Sequence, residues 1–81
     1  MKPIGAEVGL TIGSDDPAFE VAAGDAVITR ARRVYAVISA RRMRSRRQPA
    51  MWAVRCIVAE WPPPAGVRVI GLIWWKRGRR P

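Results

Sequence analysis

The chain has 81 residues, 49% of them hydrophobic, and carries a formal net charge of +9 at pH 7. This length allows one small domain, and the apolar content excludes a disordered chain, which would be much poorer in Val, Ile and Trp. The single cysteine excludes an internal disulfide and indicates a reducing compartment, so we expect a cytoplasmic protein.

The charge is unevenly distributed along the sequence. One basic residue stands against five acidic ones over residues 1–25, whereas fourteen stand against one over residues 26–81. This polarity indicates an acidic partner, most commonly nucleic acid and otherwise an acidic protein or an anionic membrane. A membrane is not expected, because the longest apolar run is the seven residues from Val69 to Trp75 and the N-terminus lacks a signal-peptide pattern.

The first predicted strand covers residues 4–12, where apolar side chains alternate with polar ones and glycines. Its inner face would carry Ile4, Ala6, Val8, Leu10 and Ile12. After a turn, residues 16–23 allow two interpretations. They form either one helical turn that ends at Gly24 or a short strand at residues 19–21, and the strand is slightly favoured because seven residues are marginal for a helix.

The next strands are predicted at residues 26–30, 33–41 and 50–60, which are rich in Val, Ile and other strand formers. In the second of these, alternation places Arg33, Tyr35 and Arg41 on one face with Val37 and Ser39, and the opposite face carries Val34, Ala36, Ile38 and Ala40. In the third, one face carries Trp52, Val54, Cys56 and Val58, and the other carries Met51, Arg55, Ile57 and Ala59.

The segment WPPPAG at residues 61–66 cannot donate ladder hydrogen bonds at three successive positions and is predicted to be a connection. Residues 67–75 then form the last strand. Together these elements predict an all-β domain over residues 1–75, a small antiparallel five-stranded barrel or roll with at most one helical turn. A basic tail at residues 76–81 follows it.

The sequence predicts no enzyme. It has no His, no carboxylate pair at a strand or helix spacing, and no glycine-rich phosphate-binding motif. Cys56 lies mid-strand between Val54 and Val58, which favours a buried structural thiol, and one Cys without His excludes an ordinary zinc site. We therefore expect no metal and no cofactor.

Three basic stretches are the candidate binding residues. They are residues 30–33, residues 41–47 with five arginines in seven positions, and the tail. The middle one would form the tip of a hairpin, and a mobile loop of this charge would gain from a polyanion that relieves its repulsion. The predicted contacts are Arg33, Tyr35, Arg41, Arg42, Arg44, Arg46, Arg47, Lys76, Arg77, Arg79 and Arg80.

Adjacent tryptophans provide a possible aromatic anchor. Trp74 and Trp75 would point to opposite faces of a strand, so one of them would be core and the other exposed or covered. An exposed Trp beside Lys76 would stack on a nucleobase or anchor a protein contact.

The sequence GDAVI at residues 24–28, followed by a twisted hairpin, resembles the first part of small SH3-like barrels, including KOW-type nucleic-acid-binding domains. The resemblance covers residues 24–41 and departs from the family at residues 32–34, where a second glycine-rich turn would stand. It implies a small β-barrel and carries no site residue over. The composition also resembles that of small basic proteins from phages and mobile elements, which would place the chain in the cytoplasm of a bacterial host.

Two functional hypotheses follow. In the first, the chain is a nucleic-acid-binding module that contacts phosphates through its loop and tail. In the second, it is an accessory protein that binds an acidic protein surface, such as an anti-CRISPR-like inhibitor of a nucleic-acid-handling complex or a small virion connector. A steep loss of nucleic-acid affinity with added salt would distinguish the first from the second.

Overall fold

The computed structural model describes residues 3–71, which form one five-stranded sheet and no helix. The strands are β1 (Glu7–Ser14), β2 (Ala26–Ile28), β3 (Val34–Met43), β4 (Ala50–Ala59) and β5 (Val69–Gly71). The sheet order is β1-β4-β3-β2-β5, and the sheet curls into a half-barrel. This confirms the predicted all-β fold. Among the described residues there is thus no helix that could cross a membrane.

The strand pairing is mixed rather than purely antiparallel. β1 with β4, β3 with β4 and β2 with β3 pair antiparallel, whereas β5 runs parallel to β2. The prediction of an all-antiparallel sheet is wrong at this one pair. Residues 60–68, which include three consecutive prolines, carry the chain past β3 and β2 before β5 begins, so β5 enters in the direction of β2.

The alternation predicted for β1 and β4 is confirmed where the two strands pair. Ile12 lies opposite Trp52, and the two adjoining pairs on the same face are Leu10 with Val54 and Val8 with Cys56. These side chains form or contact the hydrophobic core. Ile4 is the exception: it precedes β1 and is 59% exposed, because the chain turns at Gly5, whose φ is 91°.

The alternation predicted for β3 is wrong because the strand contains a β-bulge. The pairing with β4 runs from Val37 opposite Cys56 to Ser39 opposite Arg55, which leaves Ile38 unpaired and 44% exposed. A bulge inserts one extra residue and reverses the facing of everything beyond it. The core face of β3 therefore carries Tyr35, Val37 and Ala40.

Residues 15–25 form neither of the two predicted elements and instead pack as an irregular segment over the core. Val21 is buried and Phe19 packs against it and its neighbours, with the Phe19 carbonyl accepting a 3.0 Å hydrogen bond from Trp52 Nε1. The buried Asp25 carboxylate accepts from the Ala22 N–H at 2.9 Å and from Arg68 at 3.1 Å. Polar caps of this kind satisfy the backbone without a helix or a strand.

Candidate functional site

The loop between β3 and β4 is shorter than predicted. β3 continues to Met43 and β4 begins at Ala50, so the loop is residues 44–49, which we call the arginine loop. Arg41 and Arg42 belong to β3, where they point to opposite faces: Arg41 lies opposite Ala53 on the outer face, and Arg42 lies opposite Trp52 on the core face. The predicted hairpin thus exists, with two of its five arginines in the strand.

Hydrogen bonds within the chain hold the arginine loop at its base. The Ser45 hydroxyl accepts hydrogen bonds from the backbone N–H groups of Arg47 (3.1 Å) and Gln48 (3.2 Å). The Gln48 side chain packs directly on Gly13 of β1, in the space that a Cβ atom at this position would need. The loop is therefore braced internally and anchored on β1, while the side chains of its three arginines are exposed.

Arg42 closes the loop from the strand side. Its guanidinium donates a 2.9 Å hydrogen bond to the Pro49 carbonyl and lies 6.0 Å from the centre of the Trp52 ring. A guanidinium at this distance from an indole is attracted by the negative face of the ring. The Arg42 side chain is thus held in place where β3 joins the arginine loop.

Three arginines form the outer part of the loop, and we call them the tip arginines: Arg44, Arg46 and Arg47. All three are exposed. Within residues 3–71, the ion pairs join Arg55 to Glu7 and Arg68 to Asp25, so none of the tip arginines is paired with a carboxylate there. The tip therefore carries three uncompensated positive charges on a short stretch of backbone.

The predicted grouping of Arg33, Tyr35 and Arg41 on one face of the sheet is not formed. The bulge at Ile38 places Tyr35 on the core face and Arg41 on the outer face. Arg33 lies just before β3, at the opposite end of the strand from the loop, about 30 Å away at the rise of an extended chain. The first and second basic stretches are thus two separate clusters rather than one surface.

The sequence also separates acidic from basic residues in a way that the fold does not. Ser14 at the end of β1 pairs with Ala50, which immediately follows the arginine loop. Asp15 and Asp16 therefore lie at the same end of the sheet as the tip arginines and share a shallow pocket with Gln48. These two carboxylates weaken the positive field at the loop without forming ion pairs with it.

Cys56 is a structural thiol, as predicted. It is completely buried in the core, and burial raises its pKa from 9.0 to about 11. A thiol held neutral in this way is a poor nucleophile. Groups of three or more residues that could hold a metal ion are absent from the described part of the chain.

Three features of these sites were not predicted from the sequence: the packing of Gln48 on Gly13, the contact of Arg42 with Trp52 and the contact of Arg32 with Trp61. The Arg42–Trp52 contact had a usable signal, since residues near the ends of two hairpin strands face each other. The Arg32 guanidinium lies 6.0 Å from the centre of the Trp61 ring, although twenty-eight positions separate the two residues, and no periodic pattern links them.

Several predicted contacts fall on the segment beyond residue 71. Outside the described residues lie Trp74, Trp75, Lys76, Arg77, Arg79 and Arg80, together with the tail at residues 76–81, and their roles stay predictions.

The SH3-like resemblance covers Gly24, whose φ of 97° and bond to the Val37 carbonyl (2.9 Å) place a tight turn before β2. No known protein family, curated protein or solved structure matches this chain.

Proposed function

We propose that the chain is a non-enzymatic nucleic-acid-binding module that contacts phosphates through the arginine loop. The observation that carries the proposal is the presence of three exposed tip arginines with no carboxylate partner among residues 3–71, on a loop whose base is anchored. Guanidinium groups bind phosphate oxygens through two parallel hydrogen bonds. This binding releases counterions from the nucleic acid.

The contrast with the other arginines supports this assignment. Arg55 donates a 2.7 Å hydrogen bond from Nε to Glu7. Arg68 donates to the Asp25 carboxylate at 3.1 Å and to the Glu20 carbonyl at 2.8 Å. Their charges are compensated within the protein. The tip arginines, with Arg41 and Arg42 beside them at the end of β3, are the densest group of arginines without a carboxylate partner among the described residues.

The geometry favours contacts to the nucleic-acid backbone rather than to base edges. The three exposed cations lie on an irregular six-residue loop and not on a helix or strand that could enter a groove, so little fixes a hydrogen-bond pattern to bases. We expect weak sequence preference and strong dependence on salt.

The test is a binding titration of the triple variant Arg44→Ser/Arg46→Ser/Arg47→Ser with a labelled duplex at several salt concentrations. Each phosphate contact contributes roughly 0.9 to the slope of log affinity against log salt, so the slope should fall by about 3 and the affinity at about 0.1 M salt by roughly 100-fold or more. The melting temperature should stay nearly unchanged, because the three side chains make no hydrogen bonds within residues 3–71.

The matched control replaces the same three residues with lysine. This variant keeps the charge, so it should retain most of the affinity and nearly the full salt slope. The proposal fails if the native protein binds no nucleic acid at low salt, the result expected of a protein that docks on an acidic protein surface. It also fails if the serine variant binds as tightly as the native chain.

A further inference from the structure

The end of the sheet opposite the arginine loop carries a second feature, a half-exposed tryptophan. Trp61 keeps 45% of its surface exposed immediately after β4, and the Arg32 guanidinium lies over its ring at 6.0 Å from the centre. With Ile4, itself 59% exposed, and Arg33, these residues line a shallow pocket of about 440 Å³, which we call the Trp61 pocket.

The backbone holds the cation of this pocket in place. Arg32 has a φ of 61°, in the left-handed region that residues other than Gly, Asn and Asp rarely adopt. Its N–H donates to the Thr29 carbonyl at 3.0 Å, and the Arg33 N–H bonds the Thr29 hydroxyl at 3.3 Å. This turn directs Arg32 towards Trp61 across the ends of β3 and β4.

We propose that the Trp61 pocket receives an unpaired nucleobase of a single-stranded nucleic acid, with Arg32 and Arg33 contacting the adjoining phosphates. The inference rests on the proposed function and names its substrate class. An exposed indole offers a stacking surface that any nucleobase fits, and neighbouring guanidinium groups supply the charge that a nucleotide needs. Four of the seven residues that line the pocket are apolar, and the two arginines beside the exposed ring add the positive charge that a phosphate-bearing partner needs.

The two sites are separated by a distance that one strand of nucleic acid can span. β4 joins them over ten residues, which corresponds to about 30 Å. At the spacing of roughly 3.4 Å per nucleotide along one strand, about nine nucleotides cover this length, and fewer do when the strand is extended. A duplex could meet the arginine loop equally well, but its stacked bases could not enter the Trp61 pocket.

The test compares oligothymidylate of about 12 nucleotides with a duplex of equal length, at one low salt concentration, against the native chain and Trp61→Ala. Stacking of one base on an aromatic ring is lost in this variant, so single-strand affinity should fall roughly 10-fold while duplex affinity stays unchanged. Trp61→Phe keeps an aromatic face and should retain most of the single-strand affinity.

Arg32 supplies a second pair of variants. Arg32→Gly and Arg32→Ala both remove the cation and should weaken single-strand binding alike, while only glycine suits the left-handed backbone. Arg32→Gly therefore separates loss of binding from loss of fold: its melting temperature should equal or exceed that of Arg32→Ala.

The outcomes distinguish the two proposals. If Trp61→Ala binds the single strand as tightly as the native chain while the tip-arginine serine variant does not, the Trp61 pocket is overturned and the proposed function stands. Equal losses of single-strand and duplex affinity in Trp61→Ala also overturn the Trp61 pocket, because a duplex has no unpaired base that could lose its stacking on Trp61. If the native chain binds neither probe, the proposed function itself is wrong.

Discussion

The arginines of this chain show how far environment separates residues of one type. Arg55 and Arg68 are neutralised by carboxylates, Arg42 bonds the Pro49 carbonyl, and the tip arginines have no such partner among the described residues. Thirteen arginines would look interchangeable in a composition table. Only the contacts show which cations are available to a partner, and the loss of duplex affinity should therefore follow the tip positions and not the overall arginine count.

Cys56 gives a prediction at the same scale that concerns stability rather than binding. Its pKa is raised by burial from 9.0 to about 11, so between these values the unfolded chain has released the thiol proton while the folded chain keeps it. The contribution of the thiol to the free energy of unfolding is then fully present below about pH 9 and is lost as the pH rises towards 11. Urea unfolding of the native chain at a series of alkaline pH values should show this decrease.

Cys56→Ala is the control, because every other titrating group is common to both proteins. The alanine variant should be less stable at neutral pH, since it leaves a cavity beside Val8 and Val37, and its stability should fall less steeply from pH 9 to 11. Equal alkaline slopes in the two proteins would show that the thiol does not titrate as its burial requires.

At the scale of the strand, the sequence predicts the facing of an element well when a polar residue marks the outer face. β1 has Glu7 and Thr11 there and β4 has Arg55, and the faces predicted for both strands are those of the structure. β3 was not, because residues 34–38 are apolar or aromatic at every position and a period of two is compatible with either facing. The parallel pairing of β5 with β2 could not be predicted either, since it depends on where residues 60–68 cross the sheet.

The bulge also decided how much of the candidate site was predictable. The hairpin and its exposed arginines follow from two strands and a polar stretch between them, and the structure has both. The grouping of Arg33, Tyr35 and Arg41 does not survive, because one unpaired residue in β3 moves Arg41 to the other face. A single-residue irregularity of this kind has no signal in hydrophobic periodicity.

The bulge predicts an asymmetry between two single-residue deletions. Deletion of Ile38 should leave a folded protein with modest loss of stability, because the pairs Val37–Cys56 and Ser39–Arg55 already flank the unpaired residue and would become adjacent. Deletion of Ile57 from β4 should abolish cooperative unfolding, because it slips one part of the central strand and reverses the facing of its core residues. Thermal melts followed by far-ultraviolet circular dichroism would measure both.

A melt of equal cooperativity and midpoint for the two deletions would contradict this account. It would mean that the register of β4 against β1 and β3 is not fixed by the core face. The buried positions Val54, Cys56 and Val58 alternate on that face, so the slipped strand would expose some of them to water and bury Arg55.

For the whole molecule, the fold brings together charges that the sequence keeps apart. The acidic first third and the basic remainder suggest two electrostatic halves, yet the pairing of Ser14 with Ala50 sets Asp15 and Asp16 beside the arginine loop. The acidic turn and the loop share one end of the sheet, while Glu60 and Trp61 lie at the other. Affinity for a polyanion thus depends on where a carboxylate lies and not only on the net charge.

The double variant Asp15→Asn/Asp16→Asn tests this dependence with a short duplex probe at low salt. At a separation of about 10 Å in water, each carboxylate opposes a phosphate by about 0.4 kcal/mol, so removing two should raise the affinity about fourfold. Asparagine can still accept the 2.9 Å bond from the Ala18 N–H that Asp16 Oδ1 accepts, so the melting temperature should be unchanged. Glu60→Gln is the matched control about 30 Å away, where a carboxylate opposes a phosphate by only about 0.14 kcal/mol in water, so it should raise duplex affinity by no more than about 1.3-fold. An equal gain from Glu60→Gln would mean that net charge alone governs binding and that the arginine loop is not where the duplex docks.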